Sequence, residues 1–210
     1  HKTFGNSLNV NVINNAVKIP SSSSKNMKIE GRNIRLVYAS RICEHKNLAY
    51  ILNNLLLVSK KIKIDINIYG LIENKKYWEK CKNIINGFSK NISAKYCGLL
   101  GPGNNQKILQ ENHFLVLMTK GENFGHIIYE SLAAGRPVII SDRTPWKDLE
   151  RLNVGYVSNF NDNNLLDIFE GLINIDDESF SMMCYDAQKY AEDFFHSNDF
   201  FSRYDQLLEN

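Results

Sequence analysis

Short runs that are apolar from end to end recur along this chain, and each is followed by a stretch of helical periodicity. Residues 33–39 read as a buried strand. Leu48, Ile51, Leu52, Leu55 and Leu56 then share one helix face. Residues 64–70 alternate as a second strand, and 75–88 form a helix with Tyr77, Cys81, Ile84 and Ile85 inward. A third strand over 93–100 stops at Gly101-Pro102-Gly103, and a short helix follows at 104–111. Strands at 113–118, 137–141 and 155–158 come next, with a helix entered through Phe124-Gly125 between the first two. Helices over 161–173, 177–194 and 197–208 close the chain. Apolar strands interleaved with helices predict an α/β fold: a Rossmann-like, doubly wound parallel sheet of about six strands with helices on both faces. Such sheets bind ligands outside the C-terminal ends of their strands, near the point where strand order reverses.

At 210 residues the chain suits one domain with appendages. Ser21–Ser24 after Pro20 mark a flexible stretch, so 1–31 reads as an interdomain linker and 32–210 as the folded, ligand-binding domain with C-terminal return helices. The chain opens on His1 without a methionine, which reads as a fragment. A net charge of +2, without a Lys/Arg block, gives no reason to expect nucleic acid as a partner. Cys43, Cys81, Cys97 and Cys184 form no C-x-x-C pair and no disulfide framework, which predicts a reducing, cytoplasmic setting. Nothing approaches the ~20 apolar residues of a membrane span.

Polar or glycine-bearing features fall at several strand ends: Ser40-Arg41, Gly70, Gly98, Thr119–Gly125 and Ser141-Asp142. The densest is the run from Gly121 to Asp142. Glu122 and Glu130 stand there with seven residues between them, around a Phe124-Gly125 turn. A helix starting near Phe124 presents unpaired N–H groups and a partial positive charge, a ready phosphate site. Gly125 lets the backbone approach, because no Cβ intervenes. Glu130, on the second helical turn, is placed for ribose hydroxyls, and Glu122, ahead of the helix, for a sugar. Eight residues of helical rise span about 12 Å, the reach of a folded sugar–diphosphate–ribose.

Together these motifs resemble the C-terminal, donor-binding half of the retaining GT-B glycosyltransferases called group 1, or family 4. The likeness covers about residues 30–208. Glu122–Glu130 match the family's E-x7-E motif. Ser40-Arg41-Ile42-Cys43-Glu44-His45-Lys46-Asn47-Leu48 resembles its Arg/Lys signature, and Asn15-Ala16-Val17-Lys18 the turn that joins the two halves. The resemblance implies a nucleoside-diphosphate sugar as donor substrate and no other cofactor. It implies sugar contacts for Glu122, ribose contacts for Glu130, and neutralisation of the diphosphate by Arg41 and Lys46. Backbone N–H groups around Asn123, Phe124, Gly125 and His126 complete the cradle, and Leu99 and Leu100 stand where the family holds the base.

Glu122, Arg41 and Lys46 are thereby the expected catalytic set, without a metal. The family's acceptor-binding N-terminal half is missing, so this piece alone is expected to be inactive. Phe194, Phe195, Phe200, Phe201 and Tyr204 crowd the region that returns toward that half. Surface meant for the partner half and ordinary packing both account for them. The implied activity is hexosyl transfer to a hydroxyl acceptor in surface glycan synthesis, in the cytoplasm, with peripheral attachment of the full-length protein to the inner membrane face left open. A GT-B-shaped nucleotide-sugar epimerase and a non-catalytic nucleotide-binding module are the alternatives. A dinucleotide oxidoreductase is disfavoured, since no G-x-G-x-x-G follows the first strand. Cys43-x-His45 lacks a second ligand pair, and His126 stands alone, so a metal site is not expected. Trp146 suits either the donor pocket or the core.

Overall fold

A computed structural model describes Ile29 and residues 33–101, 103–162 and 164–197. The elements are β1 (Asn33–Ala39), α1 (Leu48–Leu57), β2 (Lys63–Tyr69), α2 (Lys75–Ile85), β3 (Ile92–Gly98), α3 (Asn105–Gln110), β4 (Phe114–Leu117), α4 (His126–Ala133), β5 (Val138–Ser141), β6 (Gly155–Ser158), α5 (Leu165–Gly171) and α6 (Asp177–Ser197). The strands form one sheet in the order β3-β2-β1-β4-β5-β6, parallel throughout. β1 pairs with β2 on one side and with β4 on the other, so the order reverses at β1 and β4. The predicted fold class is the observed one.

Apolar content decides where each strand sits. All four residues of β4 and of β5 are buried, as a central strand covered on both faces requires. β2 is buried on one face only: Ile64, Ile66 and Ile68 point inward, while Asp65, Asn67 and Tyr69 stay half-exposed. β3, at the edge, keeps only Ile92 buried. From α1, Leu48, Ile51, Leu52 and Leu55 enter the core, each such burial being worth roughly 1.5–3 kcal/mol. Leu56, expected on that stripe, lies outside it at 38% exposure. α1 packs on α2 and α5, and α4 packs on α6 and α3.

Several boundaries differ from expectation for visible reasons. β3 ends at Gly98, two residues early, where φ of +84° breaks the extended backbone. α4 begins at His126 because Gly125 sits at φ +81°. α5 starts at Leu165, since the Asn164 side chain first accepts from Ser158 and from the Asn159 amide. A short 3-10 turn at Leu172–Asn174 follows it. α6 runs three residues past its expected end. The linker over 1–31 (Ile29 apart), the helix expected over 197–208 (Ser197 apart) and Phe200, Phe201 and Tyr204 lie outside the described residues.

The loops after β1 and β2 meet closely. A Cβ at Gly70 would lie 1.8 Å from the Ser40 carbonyl oxygen, so only glycine fits. That contact draws the loop bearing Arg41 and Lys46 against its neighbour at the C-terminal edge of the sheet.

Candidate functional site

The turn into α4 is built by ties between adjacent loops. Ser141 Oγ donates to the Thr119 carbonyl at 2.6 Å, and Thr119 Oγ1 donates to the Gly121 carbonyl at 2.8 Å. The Glu122 amide donates to the Arg143 carbonyl at 3.1 Å. The loop after β4 is thus held by the loop after β5. Below it, the Phe124 ring packs on Trp146 and Phe194, with centroids 5.4 and 6.0 Å away, and Trp146 Nε1 donates to the Phe124 carbonyl at 2.5 Å. Trp146 is buried and belongs to the core. Phe194 packs into the same cluster, which favours ordinary packing for that residue.

Gly125 gives α4 its start. A Cβ there would come within 2.8 Å of Ile128 Cδ1 and 3.1 Å of Glu122 Cγ, at a φ that side-chain-bearing residues avoid. The Gly125 carbonyl accepts from the Ile128 and Tyr129 amides at 2.8 and 3.3 Å. No side chain caps the helix. The amides of His126 and Ile127 have no protein acceptor among the described residues. These are donors at the positive end of a helix dipole, free to receive an anion.

Acids and cations gather beside this end. Lys46 Nζ lies 2.5 Å from Glu122 Oε2, with side-chain exposures of 10% and 19%. The β1–α1 loop carries Lys46 there. The Lys120 amide donates to the His45 carbonyl at 2.9 Å, and His45 Nε2 lies 2.8 Å from the Gly121 carbonyl. Asn47, at φ +57°, then turns the chain into α1. Glu130 is half-buried on α4, and Asn105 Nδ2 donates to its Oε2 at 2.8 Å. His126 is exposed, its ring 4.9 Å from that of Phe124. Asn123 is exposed at the same turn.

Arg41 is not part of that group. Its guanidinium pairs with Glu73 at 2.6 Å, both side chains largely in solvent, and Glu73 raises its pKa further. Tyr38, whose hydroxyl is pushed well up by burial, donates to the Arg41 carbonyl and fixes the backbone beneath it. Leu99, 64% exposed, and the half-buried Leu100 follow the end of β3. The sequence reading missed Glu73 and Asn105. The polar residues opening α3 were the one available signal for Asn105, and nothing local marked Glu73. No group of three or more His, Cys, Asp or Glu among the described residues could hold a metal. No described helix is long and apolar enough to cross a membrane.

A family model described as "Glycosyl transferases group 1" matches residues 21–188. No curated protein matches the chain by sequence. Among solved structures, Anabaena HepE in complex with UDP and glucose aligns at TM-score 0.64 and 18% identity, covering 85% of this chain and 48% of that one. A mutant of S. aureus TarM in complex with Fondaparinux, alpha-GlcNAc-glycerol and UDP aligns at TM-score 0.70 and 19% identity, covering 98% and 41%. The C-terminal domain of a group 1 family protein (LpcC) from Francisella tularensis aligns at TM-score 0.61 and 13% identity, covering 81% and 91%. At these identities the likeness is one of fold. The chain spans less than half the length of the first two.

Proposed function

The chain belongs to the glycosyl transferases group 1 family, and from that premise we propose that its crevice binds a nucleoside-diphosphate sugar, with the diphosphate on the open start of α4. The observation that carries this reading is the uncapped Gly125–Ile127 turn, flanked by the Lys46–Glu122 pair and by Glu130 held by Asn105. The complexes of HepE and TarM with UDP support a uridine nucleotide as the first choice.

In this reading the α4 amides and Lys46 take the diphosphate. Arg41 leaves Glu73, an exposed pair of little energetic weight, to join them. Its planar fork grips phosphate oxygens in pairs, while Lys46 supplies a compact charge. Glu130 accepts from the ribose hydroxyls. Glu122 keeps Oε1 for the sugar, and the base rests on the backbone at Leu99-Leu100.

Cleavage of the sugar–phosphate bond sends its electron pair to the diphosphate, and positive charge develops on the sugar. Donors already aimed at the diphosphate stabilise that charge without reorganising, and without a metal. A hydroxyl of the acceptor bonds to the anomeric carbon on the face the diphosphate leaves, and its proton passes to the departing phosphate oxygen. Configuration is retained. The acceptor is held by an N-terminal half, and the product is a hexosyl unit of a surface glycan made in the cytoplasm.

A calorimetric and thermal-shift screen of this chain against UDP-, GDP- and ADP-sugars tests the site and names the base. One of the three should raise Tm, and Lys46→Ala should reduce the shift. A flat response to all three in the wild-type protein would overturn the reading.

A further inference from the structure

Glu122 and Glu130, the two acids beside the open start of α4, are held by partners of different kinds. Glu122 is neutralised by Lys46. Glu130 makes no ion pair among the described residues, and the donor on it is a neutral amide: Asn105 Nδ2 reaches Oε2 at 2.8 Å. A carboxylate oriented by an amide keeps its full negative charge, whereas one paired with an ammonium shares its acceptor strength with the cation. Glu130 Oε1 has no protein partner among the described residues, so it stands ready for hydroxyl donors.

The amide that orients Glu130 is itself well anchored. Asn105 is the half-buried first residue of α3, and the far end of that helix is fixed. Leu109 is buried in the core, and Arg136 Nη2 donates to the Gln110 carbonyl at 3.0 Å. Arg136 lies just past α4, fully buried, and its Nη1 donates to the Gly135 carbonyl at 2.7 Å. One guanidinium thus clamps the end of α3 to the end of α4, and the Asn105–Glu130 hydrogen bond ties the two helices a second time. A side chain on an element held in this way can set the orientation of its neighbour. Asn105 also follows closely on Leu99 and Leu100, where the donor reading rests the base, and the Asn104 amide donates to the Gly101 carbonyl at 3.1 Å to turn the chain between them.

We propose that Asn105 is a positioning residue for ribose recognition: by fixing Glu130, it lets the site prefer a nucleotide that carries both ribose hydroxyls over one that lacks them. The inference deepens the donor reading and rests on it for the ligand. The two hydroxyls of a ribose are a pair of donors at fixed spacing, and they reward an acceptor whose direction is set before they arrive. An unrestrained glutamate must freeze its side-chain torsions on binding, and the amide has frozen them beforehand. A site built to bond a hydroxyl rejects the analogue without it, because its own polar group is then left unpaired. Asn105 acts on the ligand through Glu130 and does not react.

The test is calorimetry of this chain with UDP and with 2′,3′-dideoxy-UDP, which lacks both hydroxyls; if the donor screen selects guanine or adenine, the matching pair of nucleotides takes their place. The wild-type protein should bind UDP about tenfold or more tightly than the dideoxy form, the scale of hydrogen bonds to a charged acceptor. Asn105→Ala should weaken UDP by about threefold to tenfold, the cost of ordering one side chain on binding, and leave dideoxy-UDP unchanged. Asn105→Asp sets a second acid beside Glu130 in place of the amide donor and should lose at least as much. In Glu130→Gln the preference should already be small, and adding Asn105→Ala should change it no further. An undiminished preference in Asn105→Ala, even with a lower Tm, would make the tie between α3 and α4 purely structural and overturn the inference. An equal loss for both nucleotides, or a further loss in the double variant, would do the same. A wild-type protein that binds UDP and dideoxy-UDP equally would overturn the inference and leave the diphosphate site standing, whereas one that binds none of UDP, GDP and ADP would sink the donor reading with it.

Discussion

The starts of α2 and α4 are finished in opposite ways. At α2, Asn74 adopts an extended conformation, and its side-chain oxygen accepts from the Tyr77 amide at 2.9 Å. The protein closes that end with its own atoms. At α4 the residue in the same position is Gly125, left-handed and without a side chain, and the next two amides have no protein acceptor among the described residues. An Asn or Ser in that place would ordinarily stabilise a helix by about 1 kcal/mol. That stabilisation is forgone at α4, beside the Lys46–Glu122 pair, as it is at α1, whose N-cap Asn47 is also left-handed and makes no side-chain cap. The self-capped end of α2 serves stability, and in the proposed donor reading the open end of α4 serves a ligand.

Filling the open end should have the largest effect. Gly125→Ala places a Cβ against Ile128 and Glu122 at a φ of +81°. The cost in stability is of order 1–3 kcal/mol, the price of a left-handed non-glycine residue. Because the turn must shift to relieve the contact, UDP binding should fall by more than tenfold, and calorimetry reads both losses. Retained affinity would mean that the amides of His126 and Ile127 do not hold the ligand.

Lys46→Ala comes next. It strands Glu122, which is only 19% exposed, so Tm should drop by the equivalent of about 1–3 kcal/mol for an unpaired, mostly buried acid. UDP affinity should fall about tenfold, the scale of a lost charge-assisted contact. Lys46→Ala/Glu122→Gln should recover stability without recovering affinity. That split separates the role of Lys46 as partner to Glu122 from its role toward phosphate.

Asn74→Ala sharpens the contrast from the other side. Loss of the α2 cap should lower stability by about 1 kcal/mol in a denaturant melt. UDP affinity should stay at its wild-type value, since α2 belongs to the other helix layer. A parallel fall in affinity would show that the two helix starts are not separable.

The same contrast marks how far the sequence could be read. Gly125, Phe124 and the two glutamates lie within nine residues, and a local rule for helix starts sufficed to read them. The strand–helix rhythm was legible for the same reason, as apolar period is a local property. What escaped depends on distant partners. Lys46 meets Glu122 across 76 positions, and Arg41 meets Glu73 across 32. No spacing rule foretells that one member of the Arg/Lys signature is buried at Glu122 while the other faces solvent. Trp146 was ambiguous because its position after β5 suits either role. The three-dimensional cluster of Phe124, Tyr129 and Phe194 decides it.

The smallest expected effect concerns a third helix start. Asp176 precedes α6, and its Oδ1 accepts from the Ser179 amide at 2.7 Å. That hydrogen bond, with a further one from the Ser179 side chain, lowers its carboxyl below the ordinary value of 3.8. A carboxyl whose folded pKa is depressed stabilises the fold above the unfolded pKa, and the contribution disappears as pH falls through the folded value. Asp176→Asn keeps an acceptor oxygen and removes the charge. At neutral pH the variant should melt slightly below wild type, because the negative charge also suits the α6 dipole. The gap should close as pH falls below about 4, where the wild-type carboxyl takes up its proton. Thermal melts from pH 6 to pH 3 read this directly. A gap that stays constant across that range would show that the charge contributes nothing, and that α6, like α2, is closed by hydrogen-bond geometry alone.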